Sequence, residues 1–133
     1  MSDASAVIEL ALPYPPSLNH YYRIWRGRTL ISREGRAYRE AVCALLARRG
    51  VRPMLGPLAM AVEAYPPDKR RRDLDNLQKS LWDSLQHAGA YGDDGQIDLH
   101  LTRRHAPVQG GAVVVRIEAL PLHCCPLCGH SLT

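Results

Sequence analysis

Between Lys69 and Asp94 the chain reads KRRRDLDNLQKSLWDSLQHAGAYGDD, a stretch that concentrates opposite charges a folded protein ordinarily keeps apart. Four consecutive cations, Lys69, Arg70, Arg71 and Arg72, run into Asp73 and Asp75, and a second acidic pair, Asp93 and Asp94, closes the segment. Clustered cations suit phosphates, and grouped carboxylates suit a hard divalent metal. The segment is therefore the expected active site, and the rest of the chain is organised around it.

A length of 133 residues with 46% apolar content bounds the chain to one globular domain with a real core. The formal charge of +4 comes mostly from arginine, which matches a phosphate backbone better than small acidic metabolites, so nucleic acid is the first partner to consider. No apolar run approaches the ~18 residues that span a bilayer. The start MSDASAVIELAL lacks the basic region and cleavage site of a signal peptide, which points to a cytoplasmic protein with no membrane partner.

Strict alternation predicts a strand over Val7–Leu12, ended by Pro13. The following PYPPSLNHYYR, with its three prolines, is expected to be an ordered loop without helix. Asn19, Tyr21 and Tyr22 in it can reach a ligand, although each tyrosine is more readily a cover for the core edge. YRIW and RTLI flank Arg26-Gly27 as a β-hairpin over residues 22 to 31, carrying Arg23, Arg26 and Arg28. Ser32 is a good N-cap for a helix whose apolar positions Tyr38, Val42 and Leu46 recur until Gly50 stops it. Leu58–Tyr65 alternates as a largely buried strand, terminated by Pro66 and Pro67.

That strand delivers the chain to the basic run. If the backbone is extended there, Asp73 and Asp75 point to one side while Leu74 enters the core. A second helix is expected from Asp75 as N-cap, with Gln78 completing a capping box and Leu77, Leu81, Leu85 and Ala88 as its stripe before Gly89. Lys79, four residues after Asp75, projects near the same face. Capping explains one of the two carboxylates, not both. DDG at 93–95 is by itself a turn sequence, but the returning helix is expected to bring Asp93 or Asp94 back beside the helix start. Three or four oxygen donors then favour Mg²⁺ or Mn²⁺ over zinc.

The loop PYPPSLNHYYR, the hairpin RGRTLIS, the segment RRRDLDNLQK, the turn HAGAYGDDGQI and the spacing between them resemble the RusA-type Holliday junction resolvases, up to about Leu120. The resemblance implies an acidic triad at Asp73, Asp75 and Asp94, a functional lysine at Lys79 and a lesser role for Asp93. It also implies a Mg²⁺-dependent homodimer that nicks four-way junction DNA symmetrically. Lys69, Arg70, Arg71, Arg72 and Asn19 are then the expected DNA contacts. Another Mg²⁺ nuclease acting on flaps or forks, or a non-catalytic DNA-binding module, are the alternatives. A pure binder gains nothing from acids where phosphates must approach.

Ile97, Leu99 and Leu101, and then Val113, Val115 and Ile117, alternate as two strands joined by PVQGG, with His100 and His105 expected to be solvated. The expected fold is α+β: one domain over residues 1–120, with a mixed sheet of four to five strands and two main helices. Residues 121–133 form a separate Cys/His-rich tail, in which Cys124, Cys125, Cys128 and His130 offer a possible structural zinc site beside His123.

Overall fold

The computed structural model describes residues 6–132. A four-stranded mixed sheet carries two long helices on one face, in line with the α+β expectation. Its strands are β1 (Val7–Leu12), β4 (Leu58–Tyr65), β5 (Ile97–Arg104) and β6 (Ala112–Ala119), in the order β1-β6-β4-β5. β6 runs antiparallel to both neighbours and β4 pairs parallel with β5. A parallel neighbour needs a crossover, and helix α3 (Asp75–His87) supplies it.

Period-two alternation puts Leu10, Leu12, Met60, Val62, Ala64, Val113, Val115 and Ile117 on the buried face. Helix α2 (Arg33–Arg49) meets them with Tyr38, Val42 and Leu46, and α3 with Leu77, Leu81 and Leu85. Each fully buried leucine contributes about 1.5–3 kcal/mol from burial. Ser32 caps α2 by accepting from the Gly35 N–H at 2.9 Å, and Gly50 ends it with a φ of 65°. Among the described residues, no helix is long and apolar enough to cross a membrane.

Two expectations are corrected, for the proline-rich loop and for the histidines, while the hairpin and the β5 strand form as expected with added detail. The proline-rich loop does contain a short helix, α1 (Leu18–Tyr21), because the last proline, Pro16, lies before its first turn and Tyr21 is drawn fully into the core. The hairpin β2 (Tyr22–Trp25) and β3 (Arg28–Ile31) forms with positive φ at Arg26 and Gly27, but as a ribbon apart from the main sheet. In β5, register places Leu99 and Leu101 opposite Ala59 and Ala61 on the second face, so Leu99 stays 44% exposed. The histidines are not simply solvated: His100 meets Trp82 edge-on at 5.0 Å, and His105 stacks on Tyr65 at 4.6 Å and bonds Glu63.

The second sheet face carries charge pairs, Arg103 with Glu63 at 2.9 Å and Arg116 with Glu118 at 3.3 Å. It also forms an apolar hollow of about 300 Å³, where Leu122, Pro126, Leu127 and Leu132 of the tail stand over Ala59, Ala61, Leu99 and Leu101.

Gly35 marks the tightest contact between α1, the ribbon and α2. A Cβ there would lie 2.4 Å from the Tyr21 carbonyl oxygen and 2.9 Å from Ile31 Cγ2. That carbonyl is held by the Ser32 N–H and Oγ, both at 2.9 Å. Gly35→Ala is predicted to destabilise the protein by about 1–3 kcal/mol through overpacking, despite alanine's better helix propensity. A lower urea midpoint at unchanged m-value checks this, and an equal or higher midpoint overturns it.

Candidate active site

After Pro67 the chain is ordered by an acid that the sequence reading passed over. Asp68 accepts from the Arg70 N–H at 2.9 Å and from Arg72 Nη1 at 2.7 Å. The Arg72 hydrogen bond first, and then the Arg70 N–H, pull its pKa down to about 2. Arg72 also lies over the Tyr14 ring at 6.0 Å, and its carbonyl accepts from Arg104 of β5. The four cations are therefore not equivalent. Arg72 is half-buried and committed to the loop, Arg70 keeps only a 3.9 Å approach to Asp68, and Lys69 and Arg71 enter no hydrogen bond or ion pair among the described residues.

Two clefts meet at Asp73. One, of about 600 Å³, is lined by Tyr14, His20, Asn76 and Arg70–Arg72, and the other, of about 450 Å³, by Lys69, Arg104, His105 and the same arginines. Asn19 is exposed on α1 but does not line either cleft, and its neighbour His20 takes that place.

The acidic residues are arranged differently from expectation. Leu74 is right-handed helical (φ −62°, ψ −31°), and the Asp73 carbonyl accepts from the Asn76 N–H at 3.1 Å. A turn thus replaces the extended backbone, and the same-side argument for Asp73 and Asp75 does not hold. Leu74, not Asp75, is the N-cap, and no side chain caps the helix. Leucine has no oxygen to cap with, and Gln78 instead turns to β5 and donates to Thr102 Oγ1. A capping box does form at the other acidic pair, where Asp93 accepts from Gly95 N–H and Gln96 accepts from Asp93 N–H, each at 3.1 Å. Asp93 is thereby a structural cap of the 3₁₀ turn Asp94–Gln96.

Asp75 remains in the first turn of α3, where the helix dipole favours a carboxylate, and Lys79 stands exposed one turn on. Neither Asp73, Asp75, Asp94 nor Lys79 enters a side-chain hydrogen bond or an ion pair among the described residues.

Asp94 does not return beside the helix start. Helix α3 runs back along β5 as a ladder: Gln78 bonds Thr102, Trp82 meets His100, and Gln86 Oε1 accepts from the Asp94 N–H at 2.9 Å. Asp75 and Gln86 are eleven residues apart in α3. That spacing separates Asp75 from the Asp94 end by about 16 Å at 1.5 Å per residue. Consistently, no group of three or more His, Cys, Asp or Glu among the described residues is placed to hold a metal ion. The donors have the hard-oxygen chemistry of a Mg²⁺ site, but one chain holds them in two places.

Beside Asp94 lies a network that the sequence reading missed. Asp83 Oδ2 takes Arg39 Nη2 at 2.6 Å and the Tyr21 hydroxyl at 2.7 Å, Arg39 Nε donates to that hydroxyl at 2.8 Å, and Ser84 Oγ donates to it at 3.2 Å. The available signal was Asp75, Lys79 and Asp83 at successive four-residue steps on one helix face. Tyr22 completes the surroundings: burial first, then the charges of Asp83 and Asp94, raise its pKa.

In the tail, the Leu127 N–H lies 3.4 Å from Cys125 Sγ, and Gly129 bonds back to the Cys125 carbonyl at 2.8 Å. Backbone N–H groups of Cys128 and then Leu127 lower the Cys125 pKa. Cys124 instead bridges Ser131 across the tail, and adjacent strand residues face opposite ways. Among the described residues, Cys124, Cys125, Cys128 and His130 are not gathered into a group of three or more that could hold a metal ion.

Fold and charge define a class: a small α+β domain whose unpaired carboxylates stand beside unpaired cations in open clefts. Within that class, the family described as Endodeoxyribonuclease RusA matches residues 13–118, and the chain belongs to the RusA family. It is 41% identical over 112 residues to the crossover junction endodeoxyribonuclease RusA of Escherichia coli strain K12, covering 84% of this chain and 93% of that protein. The counterpart in Enterobacteria phage 82 is 42% identical over 114 residues, with the same shares covered, and that of Shigella sonnei strain Ss046 is 42% identical over 112.

The Asp83 network predicts an acid response. Burial alone would raise the Asp83 pKa, but the bonds from Arg39 and Tyr21 outweigh it and lower it. A lowered folded pKa stabilises the protein fully above the unfolded value of ~3.9, and that stability is lost as pH falls through the folded value. Asp83→Asn should cost about 1–3 kcal/mol at neutral pH by depriving Arg39 of its charge partner, and should flatten the loss below pH ~4. Urea titrations across that range check both effects, and parallel acid limbs would show that Asp83 is not the titrating group.

Proposed function

We propose that this protein is a Mg²⁺-dependent endonuclease that resolves four-way DNA junctions by paired symmetric nicks. The observation that carries this reading is the convergence of two cation-lined clefts on Asp73, in a chain whose relatives are named crossover junction endodeoxyribonucleases. A cytoplasmic location and a two-fold homodimer belong to the same reading, since a two-fold substrate cut on two strands calls for two equivalent sites.

Asp73, Asp75 and Asp94 are the residues that would hold the ion, and since one chain keeps Asp94 apart from the other two, the homodimer is what would bring them together; Mn²⁺ can substitute for Mg²⁺. Such an ion supplies polarisation of the scissile phosphate and a lowered pKa for attacking water. The chain's own groups do the positioning. Lys69, Arg70 and Arg71 take backbone phosphates, contacts that give affinity and register without sequence information. Lys79, unpaired and one turn from Asp75, offsets charge that develops on the phosphate. Arg72 serves the loop and not the DNA directly, because Asp68 already neutralises it. The tail has no part in the chemistry, since the sheet and every proposed site residue precede Pro121.

Asp73→Asn, Asp75→Asn and Asp94→Asn are each expected to abolish Mg²⁺-dependent nicking of a synthetic four-way junction while leaving junction binding intact. Wild-type rates in any one of them at saturating Mg²⁺ would remove that residue from the site. Lys69→Ala with Arg71→Ala should lower the slope of log K against log salt by about 0.9 per lost phosphate contact. Arg72→Ala should instead act mainly on loop order, and an unchanged slope in the double variant would place the clefts off the DNA path. Deleting residues 121–133 should lower stability by uncovering Leu99 and Leu101, yet leave junction nicking. A folded truncated protein without activity would assign the tail a role in catalysis.

A further inference from the structure

The outer part of the β2–β3 ribbon, residues 23–29, is exposed throughout and adds nothing to the core. It stands apart from the main sheet, and its two-residue turn, Arg26-Gly27, has positive φ at both positions, 50° and 73°. Such a turn follows the right-handed twist of the strands it joins, so the ribbon projects as a regular hairpin. Directly opposed residues of an antiparallel pair share a face. Arg23 with Leu30 and Trp25 with Arg28 therefore lie on one face, and Tyr22 with Ile31 and Ile24 with Thr29 on the other. Trp25 is 50% exposed, and Arg26 reaches over its ring at 4.5 Å. An indole thus stands open among three guanidiniums, two on its own face and one over its ring. None of Arg23, Arg26 and Arg28 enters an ion pair among the described residues.

We propose that this ribbon face distinguishes branched from continuous DNA: Trp25 stacks on a base left open at a branch point, while Arg23, Arg26 and Arg28 hold the phosphates around it. The inference rests on the reading above that branched DNA is the substrate. In a continuous duplex each base is covered on both sides by its neighbours, and an inserted side chain must first unstack a step. At a branch point the outermost base pairs have lost a neighbour, so a π-face is free without that cost. Stacking on an aromatic ring is tolerant of sequence, because every base offers such a face. The arginines give affinity for any DNA, and Trp25 adds the preference for a branch.

The ribbon is placed to make such a contact near the chemistry. It begins at Tyr22, whose hydroxyl feels the charge of Asp94, and Trp25 closes the same strand. At ~3.3 Å per residue, Trp25 is about 10 Å further along than Tyr22. That span is on the order of three nucleotide steps of ~3.4 Å, so a base held by Trp25 fixes the strand close to the acid. Charge decides which occupant the ribbon fits. Exposed Ile24 and Trp25 also offer apolar area to a second copy, but a copy with a net charge of +4 sets like charge against the arginines. A DNA backbone neutralises all three.

Trp25→Leu and Trp25→Phe test this, because both keep apolar bulk and only the second keeps a π-face. Each is compared with the wild type for binding to a synthetic four-way junction and to linear duplex of the same sequence, without divalent metal so that no strand is cut. Trp25→Leu should lose on the order of ten-fold in junction affinity with duplex affinity unchanged, and Trp25→Phe should regain most of that loss. With 2-aminopurine as the base at the exchange point, the wild type and Trp25→Phe should quench its fluorescence and Trp25→Leu should not. Wild-type junction affinity in Trp25→Leu, or a loss that falls equally on junction and duplex, overturns the proposal. A changed oligomeric state in sedimentation with an unchanged junction-to-duplex ratio also overturns it and assigns the ribbon to contact between copies. Absence of quenching by the wild type overturns it whether or not either variant folds. A wild type with no preference for the junction removes the functional reading and this inference with it, whereas a preference that Trp25→Leu retains removes this inference alone.

Discussion

Parallel pairing between β4 and β5 is the constraint on which the rest of the molecule depends. Because parallel neighbours must start at the same end, the chain leaves β4 at Tyr65, travels back through α3 and re-enters at Ile97 beside Leu58. The basic loop and Asp73 belong to the exit and Asp94 to the re-entry, so their separation is a property of the topology. Gln78, Trp82 and Gln86, each facing β5, set the register in which α3 returns.

Charge is organised on that frame by pairing some groups and leaving others unpaired. Asp68 holds Arg72 within the loop, Asp83 ties α3 to α2 through Arg39, and Glu63 ties β4 to β5 through Arg103. Among the described residues, Asp73, Asp75, Asp94, Lys69, Arg71 and Lys79 have no such ion-pair partners. Side chains that serve folding are satisfied internally, and those that face a ligand keep their interactions available for it. An exposed pair adds at most about 1 kcal/mol, so stability gains little from pairing the remainder.

Much of this was legible in the sequence where local chemistry decides structure. Ser32 and Gly50 bounded α2, Arg26-Gly27 marked the hairpin, and alternation located all four strands of the sheet. The residues of the basic run and its flanking acids were also visible. What failed was what distant contacts decide. Gln78 reads as the partner of a cap until Thr102 competes for it, and Tyr21 reads as a loop residue until Asp83, 62 positions away, accepts its hydroxyl. Leu99 and Leu101 alternate as a buried stripe would, yet period two alone does not say which face the helices cover. Asp94 near Asp73 was an inference from a helix returning the chain, and a helix that returns the chain returns it to the other end.

That last point follows from the strand pairing itself. Bringing Asp94 to Asp73 within one chain would require β5 to slip along β4 by most of its eight residues, uncovering Thr102 and His100 from α3 and leaving β4's ladder unpaired. The fold cannot make that change and keep its core.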